Sequence, residues 1–246
     1  MNRAQYEANK QARNQSAWTP RAFCHHCRKP KITCYCEFLK PFNSKPEFVI
    51  LIHRMEAFRK IATGRMSHQC IHNSLLFVGT DFTHHPQVNA ILQDPALYPV
   101  LLYPAINAVN LTQLPLKERL GCFPKDKRLV VFVLDATWAQ AKRMRRLSQN
   151  LLSLPTICFT PPSPSAFIVR KQPEANCYST IESIHHIIGL LDSGTGEQEI
   201  LLEIFSKMVN QQIAFSARKL QRRGVRPRLS SMSSDQTPPS PHPCIR

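Results

Sequence analysis

The chain has 246 residues, and its 32 Lys and Arg against 16 Asp and Glu give a formal net charge of +16 at pH 7. Its 43% hydrophobic content supplies the material for a folded core, which excludes disorder along the whole chain. No apolar run approaches the roughly 18 residues of a membrane-spanning helix, and the first residues contain no apolar segment of a secretory signal. We therefore expect a globular, cytoplasmic protein.

The excess of positive charge indicates a polyanionic partner. A net charge of this size concerns association rather than fold, and phosphate backbones bind basic proteins by releasing counterions. Composition alone leaves RNA, DNA and an anionic membrane surface open as partners. The alternative is a basic protein whose charges are simply solvated.

The N-terminal segment, residues 1–22, is polar and basic, and a cysteine cluster follows within 23–41. In a chain without a secretory signal, clustered cysteines are more often metal ligands than disulfide partners. The spacing is Cys-x2-Cys followed by Cys-x-Cys, which suits a compact knuckle around a tetrahedral, structural Zn²⁺. The predicted ligands are Cys24, Cys27, Cys34 and Cys36.

Other interpretations of the cluster are a redox Cys-x-x-Cys pair, unrelated free thiols, and competing ligation by His25 or His26. A redox pair normally opens a helix after a strand, whereas these cysteines lie in a segment rich in Pro and Lys. The spacing therefore favours structural zinc.

Short apolar or β-branched runs alternate with helix-like stretches from residue 48 onward. We predict strands at 48–52, 75–78, 100–103, 129–134 and 156–159, and helices at 64–72, 138–150, 176–191 and 197–221. Several of these strands are apolar at every position, as in strands buried on both faces of a sheet. The fold class is therefore α/β with a mostly parallel sheet. The few glycines form no dinucleotide-binding or P-loop motif, so neither site is expected.

The sequence Asp135-Ala136-Thr137-Trp138 follows the most apolar strand. In open α/β sheets, ligands bind beyond the carboxyl ends of the strands. Asp135, Thr137 and Trp138 would offer a carboxylate, a hydroxyl and a flat stacking surface at such an edge. Alternatively, Asp135 or Thr137 only caps the next helix and Trp138 only packs.

The helix predicted to start at Trp138 carries four positive charges within five residues. Close to a strand-end site, they would face an acidic substrate or phosphates. Alternatively, they form a solvated helix face. The four residues are Lys142, Arg143, Arg145 and Arg146.

The C-terminal part contains a helix start and a tail. Ser179 or Thr180 with Glu182 is the pattern of a helix N-cap with a capping box. Residues 225–246 are rich in Ser and Pro and are predicted to be a disordered, basic tail. We accordingly divide the chain into the segments 1–22, 23–41, 42–224 and 225–246, of which 42–224 contains the predicted sheet.

Taken in order, six motifs resemble those of the DTW-domain family. They are the cysteine cluster, Ala62-Thr63-Gly64-Arg65, Leu102-Tyr103-Pro104, Asp135-Ala136-Thr137-Trp138, Arg170, and Ser179-Thr180-Ile181-Glu182. Each motif alone is a weak signal, but six in this order over about 23–191 are specific. The chain departs from the family pattern at Ala62, where Asn is usual, at Ala136, where Gly is usual, and at Phe167, where Tyr is common.

Members of that family are tRNA-uridine aminocarboxypropyltransferases. They move the 3-amino-3-carboxypropyl group of S-adenosylmethionine to N3 of a uridine and release methylthioadenosine. The resemblance implies a SPOUT-like sheet with a C-terminal trefoil knot, S-adenosylmethionine as the donor and tRNA as the partner. It further implies bacterial-type action on a uridine of the variable loop. We expect no membrane association and no stable protein partner.

The resemblance also implies roles for individual residues. Asp135 is the candidate catalytic base, because uridine N3–H is a weak acid and a carboxylate within hydrogen-bond reach can accept its proton. The expected donor site comprises Thr63, Gly64, Leu102, Tyr103, Pro104, Thr137 and Trp138. The expected tRNA contacts are Arg65, Lys142, Arg143, Arg145, Arg146 and Arg170, and the zinc knuckle would brace this surface.

Two other functions fit the same residues. A SPOUT-type RNA methyltransferase would use the same donor but present its methyl carbon to the acceptor. A non-catalytic, zinc-containing RNA-binding protein would need Asp135-Ala136-Thr137-Trp138 only as a capped helix start. A methylated RNA product would identify the methyltransferase. A failure to bind S-adenosylmethionine would identify the non-catalytic RNA-binding protein.

Overall fold

The computed structural model of the protein describes residues 3–7, 22–59, 61–169, 177–192 and 196–222, with the backbone alone for 217–222. The tail predicted at 225–246 and most of the basic segment 1–22 lie outside the described residues. In the described part, no helix has the length and apolar character needed to cross a membrane.

Six strands form one sheet in the order β2-β1-β5-β3-β6-β4, and every pairing is parallel. The α/β class with a parallel sheet is thus confirmed, while the C-terminal knot stays a prediction. The strands are β1 (Glu47–His53), β2 (Ser74–Gly79), β3 (Leu97–Leu102), β4 (Val109–Asn110), β5 (Arg128–Asp135) and β6 (Thr156–Cys158).

Helices cover both faces of the sheet. Residues 3–7 form a first helix, α1. The others are α2 (Arg54–Ala57), α3 (Thr63–Cys70), α4 (Pro86–Gln93), α5 (Leu116–Gly121), α6 (Trp138–Leu147), α7 (Gln149–Leu152), α8 (Thr180–Leu191) and α9 (Glu199–Arg222). Three-residue 3-10 helices lie at Lys31–Thr33, Cys36–Phe38 and Leu111–Gln113.

The core divides into two layers because alternate side chains of a strand point to opposite faces. In β5, Val131 and Val133 belong to the layer that also contains buried residues of α3, α8 and α9. Val130 and Phe132 belong to the other layer, with Val88 of α4 and Met144 of α6. By the same alternation, Asp135 ends β5 on the α3 and α8 side.

The five predicted strands and the helices predicted at 64–72, 176–191 and 197–221 are confirmed with shifted ends. Besides α1 and the 3-10 helices, the elements β4, α2, α4 and α5 were not predicted. β3 begins three residues before the expected strand and ends before Tyr103, and the helix expected at 176–191 begins at Thr180. The unpredicted elements are short: β4 has two residues, and α2, α4 and α5 have four, eight and six. A two-residue strand such as β4 or a four-residue helix such as α2 carries too few periodic positions to be recognised by pattern.

The prediction of one continuous helix over 138–150 was wrong, because the chain breaks at Ser148 between α6 and α7. Ser148 is fully buried, and its Oγ accepts a hydrogen bond from the Phe82 backbone N–H at 3.0 Å. A serine side chain that satisfies a backbone donor elsewhere competes with helix continuation. This tertiary contact leaves no periodic signal in the sequence.

The cysteine knuckle, residues 22–41, packs against α3. The Tyr35 hydroxyl donates to Gln69 Oε1 at 2.6 Å, and Gln69 Nε2 donates to the His26 carbonyl at 2.8 Å. Tyr35 is almost completely buried. One glutamine of α3 therefore connects both sides of the knuckle to the sheet domain.

Candidate active site and metal centre

Asp135 lies at the carboxyl end of β5, a central strand of the sheet, and only 6% of it is exposed. Its Oδ2 accepts the backbone N–H of Gly64 at 3.2 Å, and its Oδ1 accepts the Thr180 hydroxyl at 2.6 Å. The carboxylate thereby connects the first turns of α3 and α8. The predicted strand-end position of Asp135 is confirmed.

Two helix N-termini converge on this carboxylate. Backbone N–H groups are unsatisfied in the first turn of a helix, and the helix dipole favours negative charge there. The N-cap residue of α3 is Ala62, which has no side-chain oxygen to accept these N–H groups. Asp135 supplies an acceptor from another part of the chain, at a helix start where the local sequence provides no side-chain cap.

Gly64 allows this close approach. A Cβ added to Gly64 would lie 2.5 Å from Asp135 Oδ2 and 2.8 Å from its Cγ, closer than real side chains approach. Thr63 and Gly64 are both buried in the first turn of α3. Only glycine fits here unless the carboxylate moves.

Thr180 is a site residue that the sequence analysis treated only as a possible cap. The actual N-cap of α8 is Ser179, which forms the predicted capping box with Glu182. Since Ser179 already satisfies the helix end, the Thr180 hydroxyl is available for Asp135. The adjacent Ser179-Thr180 pair is the sequence signal that one hydroxyl is free for another contact. Only the tertiary fold shows that this hydroxyl is the one of Thr180.

Aromatic and basic side chains form a second group at the same edge, on the opposite face of the sheet. Tyr103 follows β3 and meets Trp138 edge-to-face, with ring centroids 6.5 Å apart. The guanidinium carbon of Arg145 lies 5.1 Å from the Tyr103 ring centroid. Trp138 is 37% exposed, so one part of its ring system remains accessible for stacking.

The remaining residues predicted for the donor site are divided between these groups. Leu102 packs on the α3 and α8 layer, whereas Tyr103 packs on the other layer. Thr137 is the N-cap of α6, and its hydroxyl is engaged with Gln140 in a capping box. Pro104 follows Tyr103 and is half-buried. Thr137 therefore caps the next helix, α6, as the alternative interpretation expected. Asp135 does not cap α6; its carboxylate accepts hydrogen bonds at the starts of α3 and α8.

Three of the four basic side chains of α6, Lys142, Arg143 and Arg146, are exposed, while Arg145 is half-buried over Tyr103. Within the described ranges, none of the four forms an ion pair with a carboxylate. Arg170 lies outside the described residues. These exposed positive charges therefore lie close to the site in sequence, because α6 begins only three residues after Asp135.

Arg65 lies between the carboxylate site and the knuckle. It follows Gly64 in α3, and its guanidinium donates to the Ala57 carbonyl at 2.8 Å. Burial lowers the pKa of Arg65, and the positive charge of Arg28 lowers it further, whereas Tyr35 and Asp135 raise it. The site carboxylate and two knuckle residues, Arg28 and Tyr35, therefore act electrostatically on one side chain.

The four predicted metal ligands lie together. Their sulfur atoms are all within 4.8 Å of one another. The Cys24–Cys36 and Cys27–Cys34 sulfur distances are both 3.7 Å, far longer than a disulfide bond. A tetrahedral Zn²⁺ with Zn–S bonds of about 2.3 Å places its sulfurs about 3.8 Å apart. The cluster is therefore compatible with metal binding, and its spacing fits a tetrahedral ion.

The thiols of the cluster differ in acidity. Hydrogen bonds from the Cys27 backbone and the Cys34 side chain lower the pKa of Cys24 to about 6. Burial raises the pKa values of Cys34 and Cys36. Thiolates are the form that coordinates metal, so ion binding would have to deprotonate Cys34 and Cys36.

A profile of the DTW domain matches residues 21–213, which include both the cysteine cluster and Asp135. A tRNA-uridine aminocarboxypropyltransferase 2 from Drosophila melanogaster is 27% identical over 177 residues, 69% of this chain and 66% of that protein. The Mus musculus protein of the same name is 25% identical over 223 residues, 83% of this chain and 70% of that protein.

A plant relative covers more of both chains. The tRNA-uridine aminocarboxypropyltransferase A of Arabidopsis thaliana is 25% identical over 241 residues, 87% of this chain and 88% of that protein. The chain thus spans about two thirds of the length of the fly relative and most of the plant relative. No solved structure matches the chain.

Gly64→Ala is expected to destabilise the protein by about 1–3 kcal/mol, because the new methyl group overlaps the Asp135 carboxylate. The matched control is Gly189→Ala in α8, where an added Cβ meets nothing within 4 Å. That change should stabilise the helix by about 0.5–1 kcal/mol. Chemical unfolding of both variants measures the difference, and equal stabilities would contradict the close contact.

Cys24→Ser is expected to abolish metal binding, since three thiolates and a hydroxyl cannot reproduce a closed tetrahedral thiolate site. Cys122→Ser is the control, because Cys122 is an exposed thiol far along the chain from the cluster. Elemental analysis of the purified proteins measures the metal bound per chain. Equal metal content in wild type and Cys24→Ser would show that the cluster does not hold the ion.

Proposed function

The chain belongs to the DTW domain family, and on that premise we propose that it is a tRNA-uridine aminocarboxypropyltransferase. It would transfer the 3-amino-3-carboxypropyl group of S-adenosylmethionine to N3 of a tRNA uridine and release methylthioadenosine. The relatives whose names state this activity support the proposal. The observation that carries it is the buried Asp135 carboxylate, fixed by Gly64 and Thr180 at the carboxyl edge of a parallel sheet.

The reaction requires a proton acceptor at N3. The N3–carbon bond forms as the carbon–sulfur bond of the donor breaks, and the N3 proton must leave. Asp135 is our candidate for accepting it. The sulfonium leaves with the bonding electron pair as a neutral thioether, so the activation is supplied by the donor, and the protein contributes orientation and proton transfer.

Gly64 and Thr180 are positioning residues in this proposal. Their hydrogen bonds hold both carboxylate oxygens, so Asp135 would face N3 of the uridine in a fixed orientation. The two helix N-termini favour the charged carboxylate, which is the form that accepts a proton. Fixing the acceptor before the substrate arrives lowers the orientational cost of the reaction.

The donor would lie across the same strand ends. We place its amino-acid and reacting carbons near Thr63, Gly64 and Leu102, and its adenine against Tyr103 and Trp138. The exposed part of Trp138 provides a stacking face. The family resemblance includes a SPOUT-like sheet with a C-terminal knot, and the all-parallel sheet supports this fold without testing the knot.

The tRNA would bind along the basic surface of α6. Lys142, Arg143 and Arg146 are exposed, and α6 begins beside Asp135. Phosphate contacts of this kind position an RNA without reading its sequence. Arg145, held over Tyr103, would contact the nucleotide nearest to the site. Arg170 is proposed as a further contact on the basis of the family motif alone.

We further propose that the knuckle binds Zn²⁺ as a structural ion and braces the RNA-contacting surface. Its four sulfurs suit a closed tetrahedral site, which leaves no position open for catalysis. We assign residues 42–224 to the catalytic domain, the cytoplasm as the compartment, and a variable-loop uridine as the target. These three assignments rest on the resemblance and the composition.

The proposal is tested with S-adenosylmethionine labelled either in its carboxyl carbon or in its methyl group, incubated with unmodified tRNA. We expect the carboxyl label to enter the tRNA and the methyl label to leave as methylthioadenosine. Mass mapping of the tRNA then locates the uridine. Incorporation of the methyl label alone would identify a methyltransferase, and incorporation of neither label would favour a non-catalytic RNA-binding protein.

A further inference from the structure

We propose that the outer face of α2 is a stacking platform for an unpaired base of the tRNA next to the target uridine, with Phe58 as its aromatic surface. This inference deepens the proposed function and rests on it, because it takes tRNA as the substrate. It adds a site that holds a base to the expected phosphate contacts. Phe58 belongs to none of the six sequence motifs.

Two large apolar side chains are almost completely exposed at the edge of the sheet that carries Asp135. Ile106 is 90% exposed and Phe58 is 86% exposed, the highest values for large hydrophobic residues in the described part of the chain. Ile106 follows β3 and Phe58 follows α2, which directly continues β1, and β1 and β3 are the two strands that pair with β5. Within β1, Ile52 pairs with Asp135 itself. Both side chains therefore lie beyond the strands that flank Asp135, and only Phe58 offers a flat aromatic surface.

Contacts on the inner side of α2 fix its orientation. The backbone N–H of Met55 donates to His53 Nδ1 at 3.2 Å, which caps the first turn. Glu56 is buried and forms an ion pair with Arg59, with 3.1 Å between Oε1 and Nε. The chain therefore leaves β1 in a defined turn, which ends at Phe58.

A short series of contacts connects Phe58 to the Asp135 carboxylate. The carbonyl of Ala57, the residue before Phe58, accepts a hydrogen bond from the Arg65 guanidinium at 2.8 Å. Gly64 precedes Arg65 and donates its backbone N–H to Asp135. The first turn of α3 therefore supports both the proposed platform and the proposed catalytic base.

The outer face of α2 combines apolar and cationic side chains. Met55 and Phe58 are three residues apart, so their side chains lie on the same side of this helical turn. Met55 is 64% exposed, and the neighbouring Arg54 and Arg59 are exposed as well. Surfaces that bind single-stranded nucleic acids combine these residue types, because bases stack on aromatic rings while cations meet the backbone.

The charge of the protein favours a nucleic acid over a second copy of the chain as the ligand of this surface. Large apolar side chains in water are unfavourable, so the face of α2 is expected to be covered in a complex. A second copy would bring another net charge of +16 towards Arg54 and Arg59. A nucleotide offers a flat base together with a negative phosphate, and so complements both kinds of side chain.

The access of the enzyme to the uridine gives the platform its role. N3 lies on the base-pairing edge of uridine, and an enzyme that reacts with a base takes it out of the stack. The neighbouring base then loses a stacking partner, which costs free energy. A ring at the position of Phe58 would replace that partner and so stabilise the RNA conformation in which the uridine reaches Asp135.

The test compares Phe58→Ala with Phe58→Trp, which keeps an aromatic ring, and with Leu152→Ala as the matched control. Leu152 is 42% exposed and ends α7, which leads into β6 at the opposite, amino edge of the sheet. The measurements on the full chain are the tRNA dissociation constant at several salt concentrations, the S-adenosylmethionine dissociation constant and the molecular mass in solution.

Phe58→Ala is expected to weaken tRNA binding roughly 5- to 150-fold, the loss of one base–aromatic stack. The slope of log K against log salt should stay unchanged, because stacking releases no counterions. Phe58→Trp should retain most of the affinity, and Leu152→Ala should match the wild type within about twofold. The affinity for S-adenosylmethionine should be the same in all variants.

Wild-type tRNA affinity in Phe58→Ala would overturn the inference and leave the proposed enzyme intact. An equal loss of affinity in Phe58→Ala and Phe58→Trp would also overturn it, since an aromatic ring would then not be the requirement. If the wild type is a dimer that Phe58→Ala dissociates, this face binds a second copy of the chain and the inference is wrong. Failure of the wild type to bind tRNA would reject the inference together with the proposed function.

Discussion

The position of the Asp135 carboxylate is the constraint on which the site depends. It ends a central strand whose middle residues are buried, and it accepts hydrogen bonds from Gly64 in α3 and Thr180 in α8. These two helices cover the same face of the sheet, so one carboxylate fixes where both begin. Since α3 has no side-chain N-cap of its own, the same group that is proposed to accept a proton also completes the helix.

Helix α3 connects the Asp135 site to the cysteine knuckle in the N-terminal part of the protein. Its first turn binds Asp135, and near its C-terminal end Gln69 binds Tyr35 and the His26 carbonyl of the knuckle. Arg65 lies between these contacts, and charges on both sides shift its pKa: Arg28 of the knuckle lowers it, and Asp135 raises it. A structural ion in the cysteine cluster would therefore stabilise the same helix that orients the proposed base.

Much of this architecture follows from local pattern. The apolar run that became β5, the Asp that follows it, the capping pair Ser179 and Glu182, and the cysteine spacing each have a local physical cause that can be read in sequence. Ser148 and Thr180 could not be read in the same way, because a distant backbone N–H and a distant carboxylate decide what their hydroxyls do.

The account's central claim is that Asp135 accepts the N3 proton, and single-turnover kinetics of Asp135→Asn test it most directly. Asparagine keeps the shape of the side chain but removes the charged acceptor. We expect the rate of transfer to fall by about 10²–10⁴-fold while the dissociation constants of tRNA and S-adenosylmethionine stay close to those of the exposed-site control, Asp126→Asn. A near-normal rate with both substrates bound would contradict the claim.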